Sequence, residues 1–238
     1  MRRFFASQVV EGQAVLLGSE AEHFCRVLRM GPGETFLAAY EGKELLCRAL
    51  TVQKDKVLAE ILERRECLGE PAIAITLYVA YMKADKMELI LQKAVELGIS
   101  CFAPFVSSRC VKRPKESGKA GERFAKIADG AVKQCGRAAP VRIEEPRSFE
   151  KLLEKLPEHE AALLAYECSE VPLKRVFEQV RQARDIALIV GPEGGFTPKE
   201  AQQMIEAGGR AISLGRRILR GETAAIALTA LTSYEMGC

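Results

Sequence analysis

Histidine is scarce in this sequence. Only His23 and His159 occur among 238 residues, so catalysis that rests on a pair of histidines is nearly excluded. The eight cysteines are scattered and form no CxxC pair, which argues against a zinc site or a thioredoxin-like motif. In a chain of this length such cysteines are most simply small buried hydrophobes. We therefore expect no metal.

Long apolar runs are missing as well. No window reaches the ~18 uninterrupted apolar residues that a membrane span requires. The N-terminal stretch MRRFFASQVVEGQ lacks the apolar core and cleavage site of a signal peptide. The sequence therefore predicts a soluble, cytoplasmic protein with no membrane partner.

Positive charge is concentrated in a single stretch, although the formal net charge is only +3. Seven basic and two acidic residues lie between Ser107 and Lys126, a local balance of +5 (7 − 2). A stretch this basic either lies against a polyanion or forms a solvated face. The sequence alone leaves both alternatives open.

The pattern of apolar residues divides the chain near CLGEP (67–71). Residues 1–69 contain short strand-like runs and one short helix, with Ser19 predicted as its N-cap and Glu22 at the capping-box position. This part is expected to be a small β-barrel-like domain. In residues 70–238 strands alternate with helices, beginning with the continuous apolar run 72–80. Such alternation predicts an α/β domain with a parallel sheet.

Three strand ends of the α/β part carry unusual residues: Ala165 to Glu167, Val190 to Gly195, and Leu214-Gly215. Ligands of open α/β sheets bind at the carboxyl ends of strands, and glycines let backbone amides approach them. The phosphate-binding patterns GxGxxG and GxxxxGK[ST] are absent. Because Glu193 would also repel a pyrophosphate, the loop favours a ligand with hydroxyls, amines or a positive centre. A helix capped by Thr197, with Glu200 at its third position, is predicted to follow.

The chain resembles the small-subunit (16S) ribosomal RNA uridine-N3 methyltransferases, which belong to the SPOUT class. The resemblance covers nearly the whole chain and rests on RRFF, HFCRVLRMGPGE, KADKMELILQKAVELGIS, PFVSSRC, QCGR, LIVGPEGGFTPKE and LGRRILRGETAAIAL. It implies a SPOUT trefoil-knot, parallel-sheet methyltransferase domain (70–238) and a small N-terminal PUA-like β-barrel that binds RNA (1–69). It also implies S-adenosyl-L-methionine as cofactor, 16S ribosomal RNA within the small subunit as partner, and a homodimer.

The resemblance further implies which residues bind. The residues expected at the cofactor are Ala165, Tyr166, Glu167, Val190, Gly191, Pro192, Glu193, Gly194, Gly195, Leu214, Gly215, Ile218, Leu219, Arg220 and Thr223. The residues expected at RNA are Arg2, Arg3, Arg26, Arg29, Arg109, Lys112 and Arg113.

Methyl transfer to uridine N3 removes a proton and leaves an anion that a cationic donor would stabilise. Arg137 and Arg220 are the candidate cations. Glu222 is the candidate base, or else it holds an arginine in place. The chain departs from the family pattern at Gly221, where threonine is usual, and at Lys133, where an acid is frequent.

Two other functions stay open from the sequence. The glycine motif is shared in part across the SPOUT class, so the target could be a ribose 2′-O position or a transfer RNA. A catalytically inactive ribosome-assembly factor could also retain the cofactor pocket and bind RNA without methyl transfer.

Overall fold

A computed structural model describes residues 1–114 and 119–237. The chain divides into two compact units. The first contains Met1–Glu70 and Val132–Pro140, and the second contains Pro71–Ala131 and Val141–Cys238. The sequence places its boundary one residue earlier, after 69, and gives no sign that 132–140 belongs with the first unit.

The first unit is built on a six-stranded sheet in the order β1-β4-β5-β6-β3-β2. All neighbours are antiparallel except β1 and β4. Its elements are β1 (Arg3–Phe5), β2 (Gln8–Val10), β3 (Gln13–Leu17), α1 (Ser19–Glu22), a π-helical turn (His23–Val27), β4 (Thr35–Tyr40), β5 (Lys43–Val52) and β6 (Lys56–Glu66). Phe4, Phe24 and Phe36 are fully buried, with ring centroids 5.1 to 5.4 Å apart, and form the centre of its core.

The predicted capping box of the short helix is wrong. Ser19 is the first residue inside α1, Gly18 is the N-cap, and no side chain caps the helix. Glu22 instead forms an ion pair with Arg26, at 2.8 Å. The chain turns into the helix through Gly18, whose φ of 55° is accessible to glycine without strain, so no side-chain cap shapes this entry.

Glu70 anchors residues 132–140 within the first unit. Its Oε1 accepts hydrogen bonds from the backbone N–H groups of Ala138 and Ala139, at 2.5 and 2.7 Å. Arg3 Nη1 donates to the carbonyl oxygen of Gly136 at 2.7 Å. These contacts are remote in sequence and follow no local pattern, which is why the sequence does not predict them.

The second unit contains a seven-stranded, entirely parallel sheet, which confirms the predicted α/β class. Six strands run in the order β10-β8-β7-β12-β11-β13, and β9 pairs with β8. The elements are β7 (Ala74–Ala80), α2 (Ala84–Glu96), β8 (Cys101–Val106), α3 (Lys119–Cys135), β9 (Arg142–Ile143), β10 (Arg147–Ser148), α4 (Phe149–Lys155), a 3-10 turn (Leu156–Glu158), β11 (Ala161–Ala165), α5 (Leu173–Val180), β12 (Asp185–Val190), α6 (Pro198–Glu206), β13 (Gly209–Ile212) and α7 (Gly221–Met236). The last four residues of α3 belong to the first unit.

The strand order brings the three unusual strand ends together. β11 lies between β12 and β13 and is parallel to both. The carboxyl ends of these strands therefore meet at one edge of the sheet, as the sequence argument requires. Within the described ranges, no helix is both long enough and apolar enough to cross a bilayer.

Candidate functional site

A cleft of about 450 Å³ opens at the carboxyl ends of β11, β12 and β13. Every residue predicted to contact the cofactor lines it except Thr223, which is exposed in the first turn of α7. The residues that line the cleft without having been predicted are Lys86, Phe196, Ser213, Arg216, Arg217, Gly221 and Ala224.

The glycine turn after β12 has a shape that larger residues would not allow. Gly195 donates its N–H to the carbonyl of Pro192 at 2.9 Å and has a φ of 66°. A Cβ on Gly191 would lie 3.0 Å from the ring of Phe196. That ring is buried and stacks on Phe105 at 6.3 Å, so it has little room to move. The turn therefore exposes bare backbone along one side of the cleft.

The helix that follows the turn begins as predicted. Thr197 is the N-cap of α6, and its hydroxyl and the Glu200 carboxylate form a reciprocal capping box. The other oxygen of Glu200 accepts a hydrogen bond from the N–H of Ser108 at 2.8 Å. Burial raises the pKa of Glu200, but the hydrogen bonds from Ser108 and Thr197 together outweigh it and hold the pKa below its ordinary value. Glu200 thus joins α6 to the segment after β8.

Arg109, predicted to bind RNA, contacts the glycine turn instead. Its Nη1 donates to the carbonyl of Gly194 at 3.0 Å and to that of Phe196 at 3.2 Å. The two carbonyls flank Gly195, so one guanidinium holds the turn on both sides of its left-handed residue. The geometry therefore favours a support of the turn as the role of Arg109, and its contact with RNA stays a prediction.

Lys86 is a charged residue of the cleft that sequence reasoning missed. It lies in the first turn of α2, and its Nζ is 3.1 Å from Glu193 Oε1 and 3.3 Å from Glu222 Oε2. The three side chains are 23, 28 and 15% exposed, respectively. The carboxylate of Glu193, and secondarily that of Glu222, raises the pKa of the Lys86 ammonium above its ordinary value. A basic residue in the first turn of a helix was the available signal, because lysine is disfavoured there.

Glu222 occupies a different place from the one expected. It does not line the cleft, and its partner is a lysine rather than an arginine. The contact with Lys86 is an ion pair without hydrogen-bond geometry. Oε2 of Glu222 is buried and accepts no hydrogen bond from the described residues. This geometry favours a role behind the cleft wall over direct contact with a substrate.

Arg220 lines the cleft as an exposed cation. It is the N-cap residue of α7, and no carboxylate of residues 1–114 and 119–237 forms an ion pair with it. Arg216 and Arg217 lie beside it, also exposed and also lining the cleft. In the same described ranges, no three His, Cys, Asp or Glu side chains are grouped as metal ligands.

Arg137, the other candidate cation, is in the first unit and does not line the cleft. Its side chain is only 4% exposed and forms an ion pair with Glu70 at 3.2 Å. A buried guanidinium held in this way stabilises the segment around it and cannot turn to a substrate without exposing Glu70. The geometry thus favours a structural role for Arg137, and its catalytic role stays a prediction.

The remaining RNA candidates differ in how accessible they are. Arg3 binds Glu44 and backbone carbonyls and is largely buried, which makes it the least accessible of the set. Arg26 is exposed but paired with Glu22, and it does not share a helix side with Arg29, which follows the π-helical turn with a φ of 52°. Arg2, Arg29, Lys112 and Arg113 are exposed. Residues 115–118 of the basic stretch lie outside the described residues.

The two departures from the family pattern have local explanations. Lys133 forms an ion pair with Glu20 and lies 5.2 Å from the centroid of the Phe5 ring, so its charge is matched inside the first unit. A Cβ on Gly221 would lie 2.9 Å from the sulfur of the buried Met82. Glycine at this position therefore accommodates Met82 beneath the start of α7.

Comparison with known proteins identifies the family. A sequence profile of the RNA methyltransferase domain matches residues 69–233. The chain belongs to the RNA methyltransferase domain family. It is 31% identical to the ribosomal RNA small subunit methyltransferase E of Bacillus subtilis (strain 168), with 99% of this chain and 97% of that protein covered.

Solved structures agree with this family assignment. A ribosomal RNA small subunit methyltransferase E from Neisseria gonorrhoeae, bound to S-adenosyl methionine, matches with a TM-score of 0.86 and 32% identity over 98% of this chain and 97% of that one. A methyltransferase from Legionella pneumophila in complex with the same cofactor matches with a TM-score of 0.86 and 28% identity, covering 98% and 96%. Both are similar over the whole fold.

Proposed function

We propose that the protein is an S-adenosylmethionine-dependent methyltransferase that modifies N3 of a uridine in small-subunit (16S) ribosomal RNA. The cleft carries this proposal, because its glycine turn, exposed arginines and acidic wall lie at the strand ends of an RNA methyltransferase domain. The relatives support the substrate, since the Bacillus protein is named for small-subunit ribosomal RNA. The Neisseria structure supports the cofactor.

The residues of the cleft fit S-adenosylmethionine. Its volume lies in the range of small-molecule sites. Leu214, Ile218 and Leu219 offer apolar walls for an adenine, and the glycine turn offers bare backbone. Glu193 and Glu167 disfavour a phosphate-bearing nucleotide but suit hydroxyls and a cation, and S-adenosylmethionine has no phosphate. When bound, this cofactor supplies an activated methyl group on a positively charged sulfur.

The protein contributes positioning and charge to the reaction. Removal of the N3 proton leaves negative charge on the uracil carbonyl oxygens, and the exposed guanidinium of Arg220 is available to stabilise it. Arg109 and Glu200 hold the glycine turn, which keeps the cofactor site preorganised. Lys86 and Glu222 support the wall that carries Glu193. We infer that Arg220 is the catalytic residue and that these others are positioning residues.

RNA binding would use exposed cations on each unit. In the second unit these are Arg216 and Arg217 beside the cleft and Lys112 and Arg113 after β8; Arg2 and Arg29 are exposed in the first unit. We infer that the first unit is the PUA-like RNA-binding domain that the resemblance implies for residues 1–69. We infer likewise that residues 70–238 form the SPOUT domain with its trefoil knot. Affinity for RNA should then fall steeply with salt, because each phosphate contact releases counterions.

A homodimer completes the proposal. α7 is apolar on more than one side: Leu228 is buried, whereas Leu231 and Tyr234 are 45% and 83% exposed. Exposed apolar side chains on a helix support pairing with a second copy of the chain. Light scattering of the purified protein measures this, and Leu231→Glu should shift a dimer toward monomer. A ribosomal substrate is in keeping with the cytoplasmic location expected from the sequence.

The decisive experiment is a methyl-transfer assay. The protein is incubated with labelled S-adenosylmethionine and small ribosomal subunits that lack the modification, and the RNA is then digested to nucleosides. We expect N3-methyluridine. A 2′-O-methyl nucleoside would overturn the target atom, and cofactor binding without transfer would favour the assembly-factor alternative.

Arg220→Ala tests the catalytic assignment in the same assay. Removing a single charge-stabilising donor should lower the rate by about 10²–10³-fold while cofactor affinity changes little. Arg175→Ala, an exposed arginine on α5 outside the cleft, is the matched control and should leave the rate unchanged. Equal effects of the two substitutions would contradict the role of Arg220.

A further inference from the structure

The cluster of Lys86, Glu193 and Glu222 contains two carboxylates and one ammonium. We propose that this cluster makes the cleft discriminate by charge, binding the cationic sulfonium cofactor more tightly than the neutral thioether that remains after methyl transfer. The inference rests on the proposed function, because it assigns a selectivity to the proposed cofactor site.

Lys86 stands where helix electrostatics disfavour a cation. It is the third residue of α2, close to the positive end of the helix dipole, where acidic residues are normally found. Such a violation of a local rule requires compensation by the tertiary structure. The compensation is visible in two carboxylates from two other elements, the turn after β12 and the first turn of α7.

The two carboxylates differ in their access to the cleft. Glu193 lines the cleft, whereas Glu222 approaches Lys86 without lining it. Lys86 therefore forms ion pairs with two carboxylates, that of Glu193 at the cleft wall and that of Glu222 outside the lining. Glu193 is left only partly neutralised, and the cluster as a whole carries one excess negative charge.

The surroundings allow this excess charge to act. All three side chains are less than one-third exposed, so water screens them less than it screens the exposed Arg216, Arg217 and Arg220, which line the same cleft. The proposed reaction removes one positive charge from the ligand: the methyl carbon bonds to N3, the N3 proton passes to solvent water, and the electrons of the carbon–sulfur bond stay on sulfur. An excess negative charge attracts the ligand before transfer and not after it, which would speed product exchange.

The experiment measures dissociation constants of S-adenosylmethionine and S-adenosylhomocysteine by calorimetry for the full chain and three variants. Glu193→Gln should lower the preference for S-adenosylmethionine by roughly tenfold, equivalent to about 1.4 kcal/mol. Glu222→Gln should act in the same direction, although Glu222 does not line the cleft, because Lys86 then pairs with Glu193 alone. Lys86→Met should act in the opposite direction and raise the preference.

Matched controls come from the N-cap and the first turn of α2. Asp85→Asn and Lys83→Met make the same charge changes at exposed neighbouring positions and should leave the affinity ratio within twofold of the wild type. Sinefungin, which carries a protonated amine in place of the methylated sulfonium, should follow S-adenosylmethionine in every variant. Thermal unfolding of each variant confirms that it is folded.

The direction in which each variant changes the ratio of the two affinities decides between the outcomes. An unchanged ratio in all three variants, or a fall in the ratio for Lys86→Met, would overturn the inference, because the cluster would then act through shape alone. Those results would leave the proposed function intact. Failure of the folded wild-type protein to bind either ligand would instead overturn the proposed function.

Discussion

Replacing Arg109 by alanine removes the two hydrogen bonds that hold the glycine turn from outside the cleft. A protein hydrogen bond contributes about 1 kcal/mol net, and these two donate from a guanidinium that is partly in water. The turn should therefore lose roughly 1–2 kcal/mol of preorganisation. If that free energy must be recovered when the cofactor binds, its affinity should fall by about 5- to 30-fold.

The assay compares Arg109→Ala with Lys112→Ala, which removes an exposed cation three residues further along the chain. Calorimetry measures the affinity for S-adenosylmethionine, and RNA binding is measured as a function of salt. Arg109→Ala should weaken cofactor binding and leave the salt slope unchanged. Lys112→Ala should leave cofactor binding unchanged and make the salt slope of RNA binding smaller by about one unit if the lysine contacts a phosphate.

The opposite pattern would refute the reasoning. If Arg109→Ala lowers the salt slope as Lys112→Ala does and leaves cofactor affinity unchanged, Arg109 binds RNA and its hydrogen bonds to the turn are incidental. Arg109→Lys makes the comparison sharper, because it preserves the charge but cannot present the planar fork of donors. It should resemble the alanine variant in cofactor binding.

Three further predictions concern other parts of the two units. Arg137→Ala should destabilise the protein by about 2–3 kcal/mol in urea unfolding, because it leaves the Glu70 carboxylate without its cation, while cofactor affinity stays unchanged; normal stability with lost activity would contradict the structural role. Glu200→Gln should lower the melting temperature at pH 7. The pKa of Glu200 in the folded protein is below its ordinary 4.5, so the ionised carboxylate stabilises the fold above pH 4.5, and this stabilisation is lost as the pH falls through the lowered pKa. The difference in melting temperature between Glu200→Gln and wild type should therefore disappear in acid. A difference that does not change with pH would contradict this role of Glu200. Gly191→Ala, whose Cβ would meet a buried aromatic ring at 3.0 Å, should cost about 1–3 kcal/mol and weaken cofactor binding, whereas Gly130→Ala, with open space around it, should do neither.

The alternation of apolar runs was enough to predict the class of the second unit. β7, β11 and β12 are continuous apolar runs, and α2 has a helical apolar face, so each element is encoded locally. The two-residue strands β9 and β10 were missed, because a strand that short has no periodicity to detect.

The motifs at the strand ends predicted the residues of the cleft wall, because these motifs are also local features of the sequence. The residues after β11, β12 and β13 are consecutive along the chain, and the parallel sheet places the ends of its strands at one edge. The sequence did not predict the roles of single residues that come to the site from elements outside these motifs. Lys86 contributes from α2, and Arg109 contributes from the segment after β8.

By itself, then, the sequence determined the fold class, the family and the line of residues along the cleft, because burial patterns and contiguous motifs are properties of neighbouring residues. Only the tertiary structure decided the partners of the charged side chains. It paired Arg137 with Glu70, directed Arg109 to the glycine turn, and placed Lys86 between two carboxylates. The physical reason is that an ion pair or hydrogen bond acts over only ~3–4 Å. The groups that come within that distance are brought there by the packing of elements far apart in the chain.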